Sequence, residues 1–298
     1  MANFIEIQNE INDSGGNRAE VLNKYIKELE QRTGRNVVLY YSGFIQNPSA
    51  PPNLLSINDG DMDAFMQVFH GLDYEKGLDL IIQTPGGDIG ATEAIVNYIK
   101  KQFGNNFRVI VPHCAFSAGT MIACASKEIL MGNHSSLGPI DPQLGALACH
   151  GILDEVAKIK EDLAASPNNR YLWEPILAKY SPTLIDTCEK AIELSDSTVT
   201  KWLSENMFEK EDNPIEKARK SVEFFGSRSQ NKMHARHISS TTAKNQGLNI
   251  FDIEKNQELQ DSILNIHHIL NIILEESLVV KIIQNSIGTS KLKVFKKE

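Results

Sequence analysis

Three stretches of the 298-residue sequence carry residue types at spacings suited to acyl-transfer chemistry. The first, Thr84-Pro-Gly-Gly-Asp-Ile-Gly90, follows the short apolar run Leu78 to Thr84. Adjacent glycines between a strand and a helix let the backbone turn sharply with N–H groups facing outward, a nest that can hold an oxyanion. An ordinary strand-to-helix turn is the plainer reading. Neither a P-loop nor a dinucleotide fingerprint is present, so phosphate cradling is not favoured. The second stretch, His113-Cys-Ala-Phe-Ser-Ala-Gly-Thr120, sets Ser117 at the step from strand to helix, with small residues Ala123, Cys124 and Ala125 behind it. A hydroxyl there is presented as in a nucleophile elbow, and the Ala118 N–H faces developing negative charge. Ala115 stands where that motif has its first glycine, and a helix N-cap is the alternative role for Ser117. The third stretch, Asn133-His-Ser-Ser-Leu-Gly-Pro-Ile-Asp-Pro-Gln143, carries His134 and Asp141, as catalytic groups or as partners for loop backbone.

The elements that must position these stretches alternate as a βαβ architecture requires. Expected strands are 36–42, 78–84, 107–112 and 129–131; expected helices are 18–32, 60–71, 88–103 and 118–126. Parallel strands end on one sheet edge, where function collects. The first sixteen residues, polar and containing Asn12-Asp-Ser-Gly-Gly16, read as a loose arm. From 151 to 226 the pattern is helical and charged. Ser239 to Gly247 reads as a capped short helix followed by a strand. Residues 256–288 read as one helix or a helix pair, and the basic run 291–298 as a solvated tail. The apolar surface of 256–288 is too broad for one helix face, which predicts burial in the core, between subunits, or both.

Composition limits the function classes. The chain is 41% hydrophobic and 23% charged, with a formal net charge of −8. It should therefore bury a core, and no basic field exists to attract nucleic acid. The start of the sequence lacks a secretory pattern, and its apolar stretches are about half the ~20 residues that span a bilayer. Cys114, Cys124, Cys149 and Cys188 show no close pair and no metal-ligand spacing, which reads as reduced thiols in a cytoplasmic protein. His234 and His237 form a His-x-x-His run with no carboxylate helix beside it, so no metal is expected. Trp173 and Trp202 read as anchors of the helical region, and His267-His268 as a partly buried pair.

Together, Thr84-Pro-Gly-Gly87, Ala115-Phe-Ser-Ala-Gly-Thr120 and Ser136-Leu-Gly-Pro-Ile-Asp-Pro-Gln143 resemble the Clp-protease/crotonase superfamily. Within it the chain is similar to the serine dehydrogenase proteinase family, relatives of signal peptide peptidase A. Thr242-Ala-Lys-Asn-Gln-Gly-Leu-Asn-Ile250 resembles a further superfamily element, and the likeness covers residues 36–255. It implies an α/β fold of stacked ββα units with Ser117 as nucleophile. Gly86 or Gly87 would act with Ala118 as oxyanion donor. The histidine of the Clp protease has no counterpart in the Leu137 to Asp141 stretch. Membrane-type relatives use a serine–lysine dyad with the lysine well downstream, a range into which Lys158 and Lys160 fall. The superfamily's habit of forming rings implies a homo-oligomer.

The expected organisation is an N-terminal arm and helix (1–35), a ClpP/crotonase-like core (36–150), a helical insertion (151–226), core completion (227–255) and C-terminal helices with a basic tail (256–298). The expected function is peptide-bond hydrolysis through an acyl-enzyme on Ser117, without metal or cofactor. A base is required because a serine hydroxyl is a weak nucleophile at neutral pH. A dyad lysine must be desolvated to lose its proton there. At ~100° per residue, Lys160 lies about 60° from the centre of the apolar face of 152–164 and Lys158 nearly opposite it, which favours Lys160. His134 with Asp141 is the reserve. The rival readings are a crotonase-like acyl-CoA enzyme and an inactive oligomeric scaffold.

Overall fold

The computed structural model describes residues 4–145, 147–226 and 235–296. Its strands are β1 (Asn36–Ser42), β2 (Leu78–Gln83), β3 (Phe107–Val111), β4 (Cys114–Ala115), β5 (Ile129–Met131), β6 (Ser136–Leu137), β7 (Gln143–Leu144), β8 (Leu147–Ala148), β9 (Ile238–Ser239), β10 (Ile250–Asp252), β11 (Val279–Asn285) and β12 (Ser290–Val294). Among the described residues they form a seven-stranded sheet, β10-β5-β3-β2-β1-β11-β12, and a small sheet, β4-β6-β9, with β7 and β8 as a separate pair. From β10 to β1 all pairings are parallel, whereas β11 and β12 run antiparallel.

Helices connect the parallel strands of the main sheet. α1 (Phe4–Asp13) and α2 (Arg18–Thr33) precede β1; α3 (Pro52–Leu55) and α4 (Gly60–Phe69) lead to β2. α5 (Ile89–Phe103) leads to β3 and α6 (Ala118–Ala125) to β5. Then come α7 (Cys149–Ala165), α8 (Arg170–Leu177), α9 (Leu184–Trp202), α10 (Pro214–Gly226), α11 (Ser240–Asn245) and α12 (Gln257–Glu276). Asp88 starts α5 by accepting the Ala91 N–H at 2.7 Å, and Ser239 starts α11 by accepting that of Thr242.

Strands β1, β2, β3, β5 and β11 of the main sheet are buried on both faces, so they read as apolar runs instead of alternating ones, while the edge strand β12 is exposed. The period of two still sorts their side chains. Val38 and Tyr40 face the layer built by α4, α5, α6, α10 and the end of α9; Val37, Leu39 and Tyr41 face α1, α2 and α12. This second layer corrects two expectations. Residues 4–16 do not form the loose arm expected of the first sixteen: α1 buries Ile7 and Ile11, one helical turn apart, against α2 and α12. Residues 256–288 are not all helix: α12 ends at Glu276, and Val279–Asn285 becomes a strand beside β1. Its β-branched residues suit a strand buried on both faces, but a short apolar run does not distinguish strand from helix locally. The apolar surface that suggested a subunit interface is largely consumed within the chain. The basic tail likewise supplies β12, hairpin partner of β11.

The helices of 149–226 behave in two ways. Val199, Trp202, Ala218, Val222 and Phe225 join the main core. By contrast α7 and the first half of α9 share a small cluster around Cys149, Ile152 and Cys188, and α8 buries none of its residues. Cys149 and Cys188 are thus neighbours in one buried cluster, although 149 and 188 are remote in sequence. Burial first, then Cys188, pushes the Cys149 thiol up to about 12. Trp202 anchors as expected; Trp173 is half-buried and donates to Asp162 at 3.1 Å. No helix among the described residues is long and apolar enough to cross a membrane.

Candidate active site

β2 and β3 are adjacent and parallel, so the segments leaving them meet at one sheet edge. The segment after β2 is gripped from both sides. Thr84 bridges to Ala115, its N–H donating to the Cys114 carbonyl and its carbonyl accepting from the Phe116 N–H. Gly87 bridges in parallel to Ile57: the Ile57 N–H donates to the Gly86 carbonyl at 2.8 Å, and the Asp88 N–H to the Ile57 carbonyl at 2.9 Å. In parallel pairing those bonds use the groups flanking Gly87 and leave its own N–H directed away from Ile57, toward the side where β4 and Ser117 lie.

Glycine is required at both positions. Gly86 has φ +101°, and a Cβ there would come within 2.7 Å of Ser117 Cβ; on Gly87 it would lie 2.2 Å from the Ile57 carbonyl oxygen. The glycine loop is thus pressed onto the serine.

Ser117 is the residue before α6 and has φ +50° and ψ −115°, a conformation that L-residues avoid. Such strain costs on the order of 1–3 kcal/mol and persists only where surroundings enforce it. Here Thr120 does much of the enforcing. Its buried hydroxyl lies 2.9 Å from the carbonyls of both Ala115 and Gly138 and accepts the Gly138 N–H at 3.0 Å. Gly119 packs so closely that a Cβ would lie 2.4 Å from Thr84 Cγ2. The N-cap alternative fails at the side chain, because the Ser117 hydroxyl makes no capping bond. It is left at the head of a helix whose eight residues are all buried.

The expected oxyanion donors separate. The Gly86 N–H faces its own Thr84 hydroxyl at 3.2 Å, whereas the N–H groups of Gly87 and Ala118 have no hydrogen-bond partner among the described residues.

The expected bases fare differently. Lys158 and Lys160 are both exposed on α7, so the predicted desolvation of Lys160 is absent. Over this stretch α7 buries only Ile159, because α9 covers a narrow stripe of it, and a side chain about 60° off that stripe already reaches water. His134 is exposed and Asp141 buried; no hydrogen bond joins them, and Asp141 accepts from Gln143 at 3.1 Å.

A different histidine packs on the residue that precedes the serine. β6 pairs with both β4 and β9, which brings residues 114–116, 136–138 and 237–239 side by side. Gly138 between them leaves room for the Phe116 and His237 rings to meet edge to face, centroids 4.8 Å apart. His237 Nδ1 is 3.3 Å from Ser136 Oγ, and Phe44 packs against the Phe116 ring. His113, His134 and His267 lie in the same region. Burial, then His134 and His237, lowers the His113 imidazole; burial and its histidine neighbours hold His267 at about 3. Ile57 escapes sequence reading, and so do the roles of Thr120 and of His237, which in the sequence is only part of a His-x-x-His run; the Gly86-Gly87 pair hints that some strand must lie against it. His234 lies outside the described residues. Among those described, no group of three or more His, Cys, Asp or Glu is arranged to hold a metal.

Over 104 residues the chain is 38% identical to uncharacterized protein MJ0137 of Methanocaldococcus jannaschii, covering 35% of this chain and 36% of the relative. Over 134 residues it is 32% identical to uncharacterized protein MJ1495 of the same organism, covering 43% and 44% respectively. The chain therefore matches less than half the length of either relative. The sequence family described as ClpP-like SDH-type serine proteinase matches residues 52–250, which include the glycine loop, the Ser117 turn and the β10 start. With its parallel-rich α/β sheet and its strand-to-helix serine, the chain belongs to the ClpP-like SDH-type serine proteinases.

Proposed function

We propose that the protein hydrolyses peptide bonds through an acyl-enzyme on Ser117. The observation that carries this reading is the convergence of a strained serine with two unengaged amides, those of Ala118 and Gly87. In this scheme the Ser117 oxygen attacks the scissile carbonyl, and the carbonyl oxygen takes on negative charge. The Gly87 and Ala118 N–H groups receive that charge; one such donor is worth about 2.7–4 kcal/mol. The leaving amine departs with a proton, and water then releases the acyl group. Gly86 serves as the close-packed neighbour, its N–H being held by Thr84.

The proton acceptor favoured by this arrangement is His237 instead of a lysine. Its ring packs on Phe116, the residue before the nucleophile. Histidine is the side chain that exchanges protons near neutrality without special burial. Exposed Lys158 and Lys160 lack the desolvation that a neutral amine needs at that pH.

A fluorophosphonate probe tests the reading. It should label the parent protein and leave Ser117→Ala unlabelled; equal labelling of the two would remove Ser117 from the chemistry. His237→Ala should slow labelling by at least about a hundredfold, the usual worth of a positioned base. Turnover of acyl-CoA thioesters with none of peptides would favour the crotonase-like alternative.

A further inference from the structure

Behind the glycine loop lies a buried ionic cluster that the proposed chemistry does not use. Lys281 on β11 and Asp61 on α4 both have fully buried side chains and pair at 3.0 Å. The Tyr40 hydroxyl donates to Asp61 at 2.7 Å and accepts from Lys281 at 2.9 Å. Lys293 on β12 reaches the other Asp61 oxygen at 2.6 Å. Burial draws the Lys281 ammonium down to about 8 against the opposing pull of Asp61. Burial opposes Asp61 ionisation as well, but Lys281, Lys293 and the Tyr40 hydroxyl outweigh it and keep the carboxyl below its ordinary range. A buried pair of this kind is poor value for stability, since desolvation consumes most of the attraction. Its placement points to another use.

The remaining bonds of the cluster go to the two residues flanking Ile57. Lys281 donates to the Ser56 carbonyl at 2.8 Å, and Asp61 accepts the Asn58 N–H at 3.2 Å. Lys293 also reaches the Asn58 side chain at 3.4 Å. Ile57, held between them, is the residue whose N–H and carbonyl grip Gly86 and Asp88 on either side of Gly87. From the two lysines the bonds run through Ser56 and Asn58 to Ile57, and from there to the Gly87 peptide.

We propose that Lys281 and Asp61 are positioning residues for the oxyanion site, holding the Ile57 clamp that aims the Gly87 N–H at the Ser117 turn. The inference rests on the reading of Gly87 as an oxyanion donor. It explains why two residues so far apart in sequence carry opposite charges on fully buried side chains. The ion pair fixes a short loop at both ends, which apolar contacts, being non-directional, would not.

The test uses the full chain and two variants. Lys281→Gln/Asp61→Asn removes the two fully buried charges together and leaves Lys293, which is 20% exposed, with its Asn58 contact; Tyr40→Phe removes one hydroxyl and leaves the ions in place. Acylation is followed as the rate of fluorophosphonate labelling and as kcat and KM on a peptide ester. Amide hydrogen exchange is followed at Ile57 and Asp88, with β3 as internal reference. For the double variant we expect labelling and kcat about ten- to a hundredfold lower, from small displacement of one donor, with KM within about twofold. Exchange should quicken at Ile57 and Asp88 and stay unchanged in β3. Tyr40→Phe should shift the same quantities in the same direction by a smaller factor, and it decides the matter if the double variant does not fold. Parent-like labelling and kcat, or protection lost equally in β3, overturns the proposal. If Ser117→Ala labels like the parent, the hydrolase reading itself has failed; if it is silent while these variants match the parent, only the present inference falls.

Discussion

The Ser117 turn and the α7 to α9 arm sit side by side in sequence and are built on opposite terms. Around Ser117 the backbone is held from several sides, leaving the Gly87 and Ala118 N–H groups unengaged: Thr84 and Ile57 hold the glycine loop, Thr120 and Gly138 the serine turn. That redundancy is what allows a residue to be kept at φ +50°. In the arm, α7 contacts mainly α9, and α8 presents Tyr171 and Leu172 at 76% and 70% exposure. A side chain outside the α7–α9 stripe, such as Lys158 or Lys160, is left exposed to water. The difference teaches that spacing from the serine is a weak guide to a lysine base, because a lysine needs surroundings that strip its water before it can lose a proton near neutrality.

The sharpest way to break this contrast is at the glycines. Gly87→Ala would drive a methyl group into the Ile57 backbone and turn the amide away. Labelling of Ser117 should fall by roughly a hundredfold or more, the loss seen when one oxyanion donor is removed. A variant that labels at the parent rate would mean that the loop takes no part in the chemistry.

Next in size is the acid dependence of the sheet-edge region. His267 is held at about 3 by burial, then by His268, His113 and His134, against an ordinary 6.5. The unfolded chain takes up this proton near pH 6.5 and the folded chain only near 3, so below 6.5 the unfolded state binds more protons. The contribution of His267 is therefore full above pH 6.5 and is lost as the pH falls toward 3, on the order of a few kcal/mol in all. Urea midpoints of parent and His267→Gln at pH 7 and pH 4.5 measure it. The variant should show the smaller drop between the two, and equal drops would sink the assignment. The neighbours support a neutral ring: Gln46 donates to Asn271 Oδ1, so Asn271 turns its NH2 to His267 Nε2, leaving Nδ1 to meet the Tyr41 hydroxyl.

Smallest of all should be the arm. Lys158→Ala and Lys160→Ala are expected to leave labelling within about twofold across pH 6–9, and stability within about 0.5 kcal/mol, as for open surface positions. Loss of labelling with Lys160→Ala alone would reverse the comparison and restore the lysine. Ile159→Ala, at the buried stripe, should cost more, about 2 kcal/mol, at the low end for a residue covered from one side.

Much was legible from residue order because it depends on neighbours in the chain. The buried strands β2 and β3, the Asp88 and Ser239 caps, the paired glycines and the serine at the start of a small-residue helix are local patterns, recognisable within a few positions. Their convergence also followed, since successive parallel strands end on one edge. What tertiary structure alone decided has one physical cause: its partners are far away in the chain. Val279–Asn285 is a strand because β1 offers an antiparallel edge, and α1 is a helix because α12 covers Ile7 and Ile11. Lys281 is buried because Asp61 and Tyr40 meet it, His237 approaches Phe116 because β9 pairs with β6, and Lys160 is wet because nothing covers it. A residue's type states which interactions it can make; which ones it does make depends on what long-range packing brings within a few ångströms.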